Sequence, residues 1–457
     1  MATVSSADTS VVQRPTLSTL DAVAIIVGIV VGAGIYEVPS LVASNATSIA
    51  PLLLVWVLGG FLSFLGAVCY AELTTTYPDA GGNYYYLRRA FGPNLAFLFA
   101  WARLAVIQTG SIALLGFVFG DYASQIFRLG EYSSAIYAAL AVVAMTTLNI
   151  MNVHFGRWLQ RTLTLGTLAG LIAVIIAGFF MPDRSSQAAA TQQQITHSNF
   201  GLMMIFVLLS YGGWSEAAFI SAELKDVRRK MVPALLGSIG LITAMYILVN
   251  LALVRGLGLT GMARSEAVGA ELMRNAFGQP GAVLLSLAAM FAALSSMHGS
   301  LFTGARTNYA LGRDYALFRM LGYWDDRGNT PTRALGIQGI VALGLVFAGA
   351  ATREGFRSMV EFTAPVFWLF ILLTGVSLIV LRTRDPGQQR RFRVPGYPVT
   401  PILFCATSAY LVYASVAYTG LGSLLGVAVL LVGVGLLYIE RIKTPMAETA
   451  GKGREAA

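Results

Sequence analysis

Twelve long apolar stretches alternate with polar or charged segments along the 457 residues of this chain. They cover 20–44, 51–77, 94–120, 133–151, 158–180, 200–222, 231–254, 281–305, 334–351, 358–381, 399–419 and 421–440, and are numbered spans 1 to 12. A helix needs about 20 apolar residues to cross a bilayer, so each run predicts one spanning helix. Twelve crossings bring both termini to one face. Basic residues identify that face: it holds twenty-three of the 31 Lys and Arg, the other face holds seven, and Arg103 alone sits well inside a span. The rich face carries Arg88, Arg89, Lys225 to Lys230, Arg306 to Arg333, Arg382 to Arg393 and the C-terminal tail. By the positive-inside rule it is cytoplasmic, which predicts a multi-pass protein of the cytoplasmic membrane with both termini inside.

Composition agrees with this pattern. Apolar residues make up 56% of the chain and charged ones 12%, about half the charge of a soluble globular protein. A soluble enzyme, a fibrous protein and a disordered chain are excluded, and an all-α polytopic membrane protein is predicted. The 48 glycines suit membrane helices, whose backbones approach closely. A net charge of +9 would in a soluble protein suggest nucleic acid. Here the positive-inside rule accounts for it, and no polar segment is long enough to form a nucleic-acid-binding domain. Cys69 and Cys405 lie inside apolar runs and give neither a disulfide framework nor metal-ligand spacing. The first nineteen residues are polar and Ser/Thr-rich, which predicts no cleavable signal peptide before span 1. Among the connections, 181–199 reads as a flexible loop and 255–279 as a short helix capping an outer vestibule. Residues 306–333 read as an amphipathic helix on the cytoplasmic surface.

Two spans carry glycines at mid-membrane. Span 1 reads Gly28-Ile29-Val30-Val31-Gly32-Ala33-Gly34-Ile35-Tyr36, and span 6 reads Leu209-Ser210-Tyr211-Gly212-Gly213-Trp214. Glycines so placed let a helix open, and the freed backbone groups survive in a membrane only where they line a polar cavity. An odd number of spans separates the two breaks, so they cross in opposite directions, as in an inverted repeat. The alternative is that both are close-packing glycine faces with no unwinding. Two intramembrane charges also need partners. Arg103 lies roughly 13 Å and Glu216 roughly 10 Å from the cytoplasmic ends of their spans. Opposite sign at similar depth predicts an Arg103–Glu216 ion pair at an inner gate; otherwise Arg103 snorkels and Glu216 faces water. His154, His197 and His298 are far apart in sequence and form no catalytic or metal-binding constellation. No phosphate-cradling glycine loop supports an ATP-driven pump, so neither an enzyme nor a bound cofactor is expected.

Several segments resemble the amino acid–polyamine–organocation transporters, closest to their L-type branch. Gly32-Ala33-Gly34-Ile35-Tyr36 with Pro39 is similar to the family's first helix, and Tyr70-Ala71-Glu72-Leu73 through Arg88-Arg89-Ala90-Phe91-Gly92-Pro93 to its second-to-third helix loop. Ser210-Tyr211-Gly212-Gly213-Trp214 with Glu223-Leu224-Lys225-Asp226 is similar to the sixth helix and its exit. His298-Gly299-Ser300-Leu301-Phe302-Thr303 resembles the eighth helix, and Phe392-Arg393-Val394-Pro395-Gly396-Tyr397-Pro398 the entry to the eleventh. The resemblance covers about residues 18–440 and implies the five-plus-five inverted-repeat fold of the bacterial leucine transporter with two added helices. The parts would be a tail 1–19, repeats 20–183 and 200–382, the added pair 398–440 and a tail 441–457.

By the same resemblance, a substrate α-carboxylate would meet the amides of Ala33, Gly34 and Ile35 beside Gly32. Its ammonium would meet carbonyls of Val30, Leu209 and Gly212 beside Ser210. Gln108 stands where the cystine/glutamate exchanger has an arginine, which argues against an acidic substrate. Ser215 replaces an asparagine common in mammalian L-type transporters, and the family's aromatic gate falls on Leu209. For Gln108 and Ser215 the alternative is a helix-to-helix hydrogen bond. Thr167 stands where many members carry a helix-5 lysine, so the usual proton carrier is absent; the space near Ser295 and Ser296 would hold water or Na⁺. The loop Asp121 to Tyr132 lacks the cysteine that joins mammalian light chains to a glycoprotein, so a monomer without a disulfide-linked heavy subunit is expected. The combined expectation is a secondary transporter of neutral L-amino acids working by exchange. Ion-coupled symport and a non-transporting sensor are the alternatives.

Overall fold

The computed structural model describes residues 18–443 apart from 33, 80, 152–156, 185–198, 222–223, 225, 326–329, 353 and 418–419. Ala33, His154 and His197 therefore lie outside the described residues. The described spans are built from helices, and an isolated β bridge joins Asp325 to Thr330. Ten helical stretches are long and apolar enough to cross a membrane, and Thr164–Phe180 and Phe200–Ser210 add shorter apolar helices in spans 5 and 6. The protein is an all-α, multi-pass membrane protein.

Span 1 consists of two helices, Thr19–Val30 and Gly34–Ala43. Span 2 is Ile49–Thr76, and the short helix Asn83–Phe91 leads into span 3. Span 3 joins Pro93–Ala102 to Gln108–Ile126 through a π-helical turn, Arg103–Ile107. Ser133–Ile150 and Arg157–Phe180 form spans 4 and 5. Span 6 starts as Phe200–Ser210 and resumes only as short turns over Trp214–Glu216 and Ala217–Ile220. Spans 7 and 8, Val227–Arg264 and Val268–Asp314, outrun any bilayer. Each is bent by a glycine with positive φ, Gly258 at 69° and Gly278 at 70°, so short helices fold over the face opposite the basic clusters. That face is called the far face, and the one with the clusters the basic face. The expected helical segment within 255–279 takes this form. Spans 9 to 12 are Thr332–Thr352, Gly355–Arg384, Val399–Ala417 and Leu421–Lys443. Span 12 is peripheral: Leu424, Leu425, Leu431 and Val432 are more than half exposed, as a lipid-facing surface requires.

The expectation for 306–333 is corrected. Residues 306–314 simply continue the span 8 helix, and a separate 3₁₀ segment, Ala316–Gly322, follows. The chain doubles back there because Gly312 lies against the backbone of Gly322, an approach that a Cβ at Gly312 would block at 2.2 Å. Glu440 in span 12 accepts the amides of Ala316 and Leu317 at 2.8 and 2.9 Å, capping the segment.

Two sequence segments far apart meet at the basic face. Glu72, 1% exposed, accepts Arg382 Nε at 2.7 Å, a second bond from Arg382 Nη2, and the Val394 amide at 2.7 Å. Arg390 Nε stands 3.3 Å from the same carboxylate. Nearby, Asp385 accepts from Arg89 and from Tyr77, each at 3.0 Å, and these bonds hold its carboxyl below the usual range. Removing one member of a buried charge set costs about 3–5 kcal/mol. Glu72→Gln is thus expected to lower the thermal midpoint of the detergent-solubilised protein by several degrees. An unchanged midpoint would show that Glu72 does not clamp spans 2, 10 and 11.

Candidate functional site

Both glycine-bearing spans are unwound at mid-membrane. In span 1 the helix stops at Val30, Val31 and Gly32 leave helical geometry, and a new helix starts at Gly34. In span 6 the helix stops at Ser210, Tyr211 to Gly213 form a turn, and Gly213 takes φ 95°. Close packing, the alternative to unwinding, is present as well. A Cβ on Gly32 would lie 2.6 Å from Ser296 Oγ, and one on Gly34 2.8 Å from Ser210 Oγ. An aromatic cluster supports the breaks from behind. The fully buried Tyr246 hydroxyl lies 2.9 Å from Val30 O and 3.1 Å from Ser210 O, so one phenol proton serves the last carbonyls of both half-helices. Tyr211 donates to Trp56 O at 3.1 Å, and its ring centroid is 5.0 Å from that of Tyr246.

Between the broken ends lies a cavity of about 120 Å³. Val30, Gly32, Gly34, Gln108, Leu209, Ser210, Gly212 and Ser215 line it, and Glu216 and Ser296 reach it too. Ile35 is buried but off the cavity surface, and Arg103, Thr167 and Ser295 do not line it. Gln108 does two things at once: it faces the cavity and donates to Ser300 O at 2.7 Å. Ser296 donates to Gly28 O at 3.0 Å, so its hydroxyl already couples span 8 to span 1. The Leu209 carbonyl accepts from the Gly212 amide at 2.9 Å, which closes the turn after the span 6 break.

Towards the far face the cavity wall reaches Val38 and Phe356. Ile35, Tyr36 and Val38 are at most 2% exposed, Tyr122 donates to Tyr36 O at 3.0 Å, and Tyr36 donates to Thr167 O at 3.4 Å. Thr167 therefore offers its backbone to the far half of span 1. Towards the basic face stands a bidentate ion pair, Arg103 Nη1 to Glu216 Oε1 at 3.0 Å and Nη2 to Oε2 at 2.7 Å. Arg103 also donates to Thr303 at 3.1 Å, and its guanidinium lies 4.0 Å from the centre of the Phe219 ring. The Arg103 side chain is 3% exposed and that of Glu216 15%.

An amino acid permease family model matches residues 17–437. The human b(0,+)-type amino acid transporter 1 is 31% identical over 412 residues, covering 88% of this chain and 82% of that protein. The chain belongs to the amino acid permease family. It is also similar to the serine/threonine exchanger SteT of Bacillus subtilis, 27% identical over 91% of this chain and 95% of that one. The human cystine/glutamate transporter is 28% identical over 92% of this chain and 84% of its own length. The chain is an amino acid transporter, and its relatives are carriers rather than enzymes.

Three features of this permease escaped the sequence reading. Tyr246 sits in an unbroken apolar helix and gives no signal of its own. Phe356, Thr363 and Phe367 bring span 10 into the cavity wall; their spacing of seven and four residues marks one helix face, legible only once Thr363 is read as facing inward. The π-helical turn Arg103–Ile107 inserts an extra residue just before Gln108. Such turns re-aim the residues that follow and recur at functional sites.

Proposed function

We propose that this permease exchanges neutral L-amino acids across the cytoplasmic membrane by alternating access. The observation that carries the reading is the cavity between two pairs of half-helix ends. The Gly34–Ala43 helix brings its N-terminal, positive dipole end to the cavity, where a carboxylate is favoured. The helices ending at Val30 and Ser210 bring their C-terminal, negative dipole ends to it, where an ammonium is favoured. The carboxylate would thus rest on Gly34, Ile35 and Ala33, and the ammonium on Val30, Leu209 and Gly212. Glu216 is the one ionisable side chain among the described lining residues, and Arg103 neutralises it, which favours an uncharged side chain on the substrate. A cavity of about 120 Å³, near the ~150 Å³ that holds a benzene molecule, suits a small or medium amino acid.

In this reading spans 1–5 (20–183) and 6–10 (200–382) are the two inverted repeats, with 398–440 added and both tails, 1–19 and 441–457, cytoplasmic. The far face is then extracellular. Substrate binding holds the far halves of spans 1 and 6 closed, and parting of Arg103 from Glu216 opens the way inward. The carrier works as a monomer without a disulfide-linked subunit, since no cysteine stands between Asp121 and Tyr132.

Thermal stabilisation of the purified protein tests the site's two poles. Alanine is expected to raise the midpoint, whereas propionate, which lacks the ammonium, and ethylamine, which lacks the carboxylate, leave it unchanged at equal concentration. Equal stabilisation by either fragment would contradict the reading.

A further inference from the structure

Behind the substrate cavity, between spans 2, 6, 10 and 11, lies a second void of about 20 Å³. Gly212, Ser215 and Phe367 line both spaces, so a single layer of residues separates them. The void is mostly apolar; of its polar lining residues, Thr407 and Ser408 donate to the Leu403 and Phe404 carbonyls of their own helix. Ser63 Oγ and Trp368 Nε1 both belong to lining residues, which are 2% and 5% exposed, and neither atom has a hydrogen-bond partner. A buried indole N–H normally finds an acceptor, and a buried donor without one is costly. Indole can only donate, and a hydroxyl can donate too, so the group that would satisfy both is an acceptor. Its volume exceeds the ~10–15 Å³ that one water needs, which is room for a single oxygen atom.

We propose that this void is a side-chain subsite of the amino acid site, holding the terminal oxygen of a neutral amide or hydroxyl side chain, with Phe367 as the door between the two spaces. The inference rests on the central cavity being the amino acid site, and it narrows the substrate class. With a short side chain a water occupies the void; with asparagine or glutamine the amide oxygen replaces it. No cation lines the void, so a carboxylate gains nothing there. Leucine has the branched shape of asparagine but leaves both donors unpaired. A site built to hydrogen-bond a substrate rejects the analogue that lacks the bonding group.

The test is competition against labelled alanine uptake by the full-length protein in liposomes, using asparagine, glutamine and leucine. Asparagine or glutamine is expected to compete about tenfold better than leucine. Trp368→Phe, which keeps the ring and deletes the N–H, and Ser63→Ala are each expected to bring that ratio towards one. Phe367→Ala, which removes the door, is expected to raise the affinity for glutamine relative to alanine. An unchanged ratio in both Trp368→Phe and Ser63→Ala, with each protein eluting as a folded monodisperse species, overturns the subsite. An equal loss for all competitors also overturns it, since that is the mark of a packing role. A wild-type carrier that accepts alanine but neither amide overturns the subsite and leaves the carrier reading standing. Failure to transport any neutral amino acid removes the carrier reading itself, and the subsite with it.

Discussion

Arg103→Glu and Glu216→Arg, each alone, are expected to reduce amino acid uptake about 100-fold or more, and the double exchange to recover part of it. The pair is nearly dry, with Arg103 at 3% exposure, and its two parallel bonds of 3.0 and 2.7 Å fix the guanidinium plane. A single reversal sets two like charges together where the desolvation of even one ion is costly, and breaking such a pair costs about 3–5 kcal/mol. Recovery in the exchanged protein should be partial. An arginine at 216 starts from the other helix and loses the fixed geometry of the Thr303 bond at 3.1 Å and the stacking on Phe219. Arg103→Lys should cost about tenfold, because an ammonium cannot make the planar two-point contact. Initial uptake rates normalised to reconstituted protein decide the matter. A double exchange as inactive as either single variant, in a protein that still elutes as a folded species, would mean that the pair is not what closes the basic-face side.

Gly34→Ala is expected to abolish transport while the protein still folds into the membrane. Its new Cβ would meet Ser210 Oγ at 2.8 Å and Ser210 Cα at 3.0 Å, and the second of these is backbone that cannot swing aside. The half-helix ends of spans 1 and 6 would be wedged apart and the cavity between them misshapen. Gly32→Ala meets a more yielding neighbour, Ser296 Oγ at 2.6 Å, and should cost about tenfold as that hydroxyl gives up its bond to Gly28 O. Ser296→Ala added to Gly32→Ala should restore part of the loss, because the clashing oxygen is gone. Wild-type rates in Gly34→Ala would show that close approach of the broken ends is not needed.

These same positions mark how far the sequence can be read. The breaks were legible because glycine is an expensive residue inside a helix, and two glycine clusters at mid-membrane in opposite-running spans demand a reason. Arg103 and Glu216 were legible because a charge at that depth needs a partner and each was the nearest candidate for the other. Tyr246 and Phe367 were hidden for the opposite reason. In an apolar helix an aromatic residue reads alike whether it faces lipid, another helix or a cavity, and only the packing of spans 7 and 10 against the breaks tells them apart. Residues 306–333 misled because an amphipathic period says nothing about a reversal of the chain. Gly312 fits against Gly322, and the period then belongs to two elements instead of one.

The measurement that bears most directly on the central claim is uptake of a labelled neutral amino acid by purified protein in liposomes. Vesicles loaded with unlabelled amino acid are compared with empty ones, with and without Na⁺ and pH gradients. Exchange predicts rapid uptake into loaded vesicles, little into empty ones, and no dependence on either gradient. Uptake into empty vesicles driven by a gradient would contradict exchange in favour of ion-coupled symport. Saturable binding with no flux under any condition would contradict transport altogether and make the broken-helix site that of a sensor.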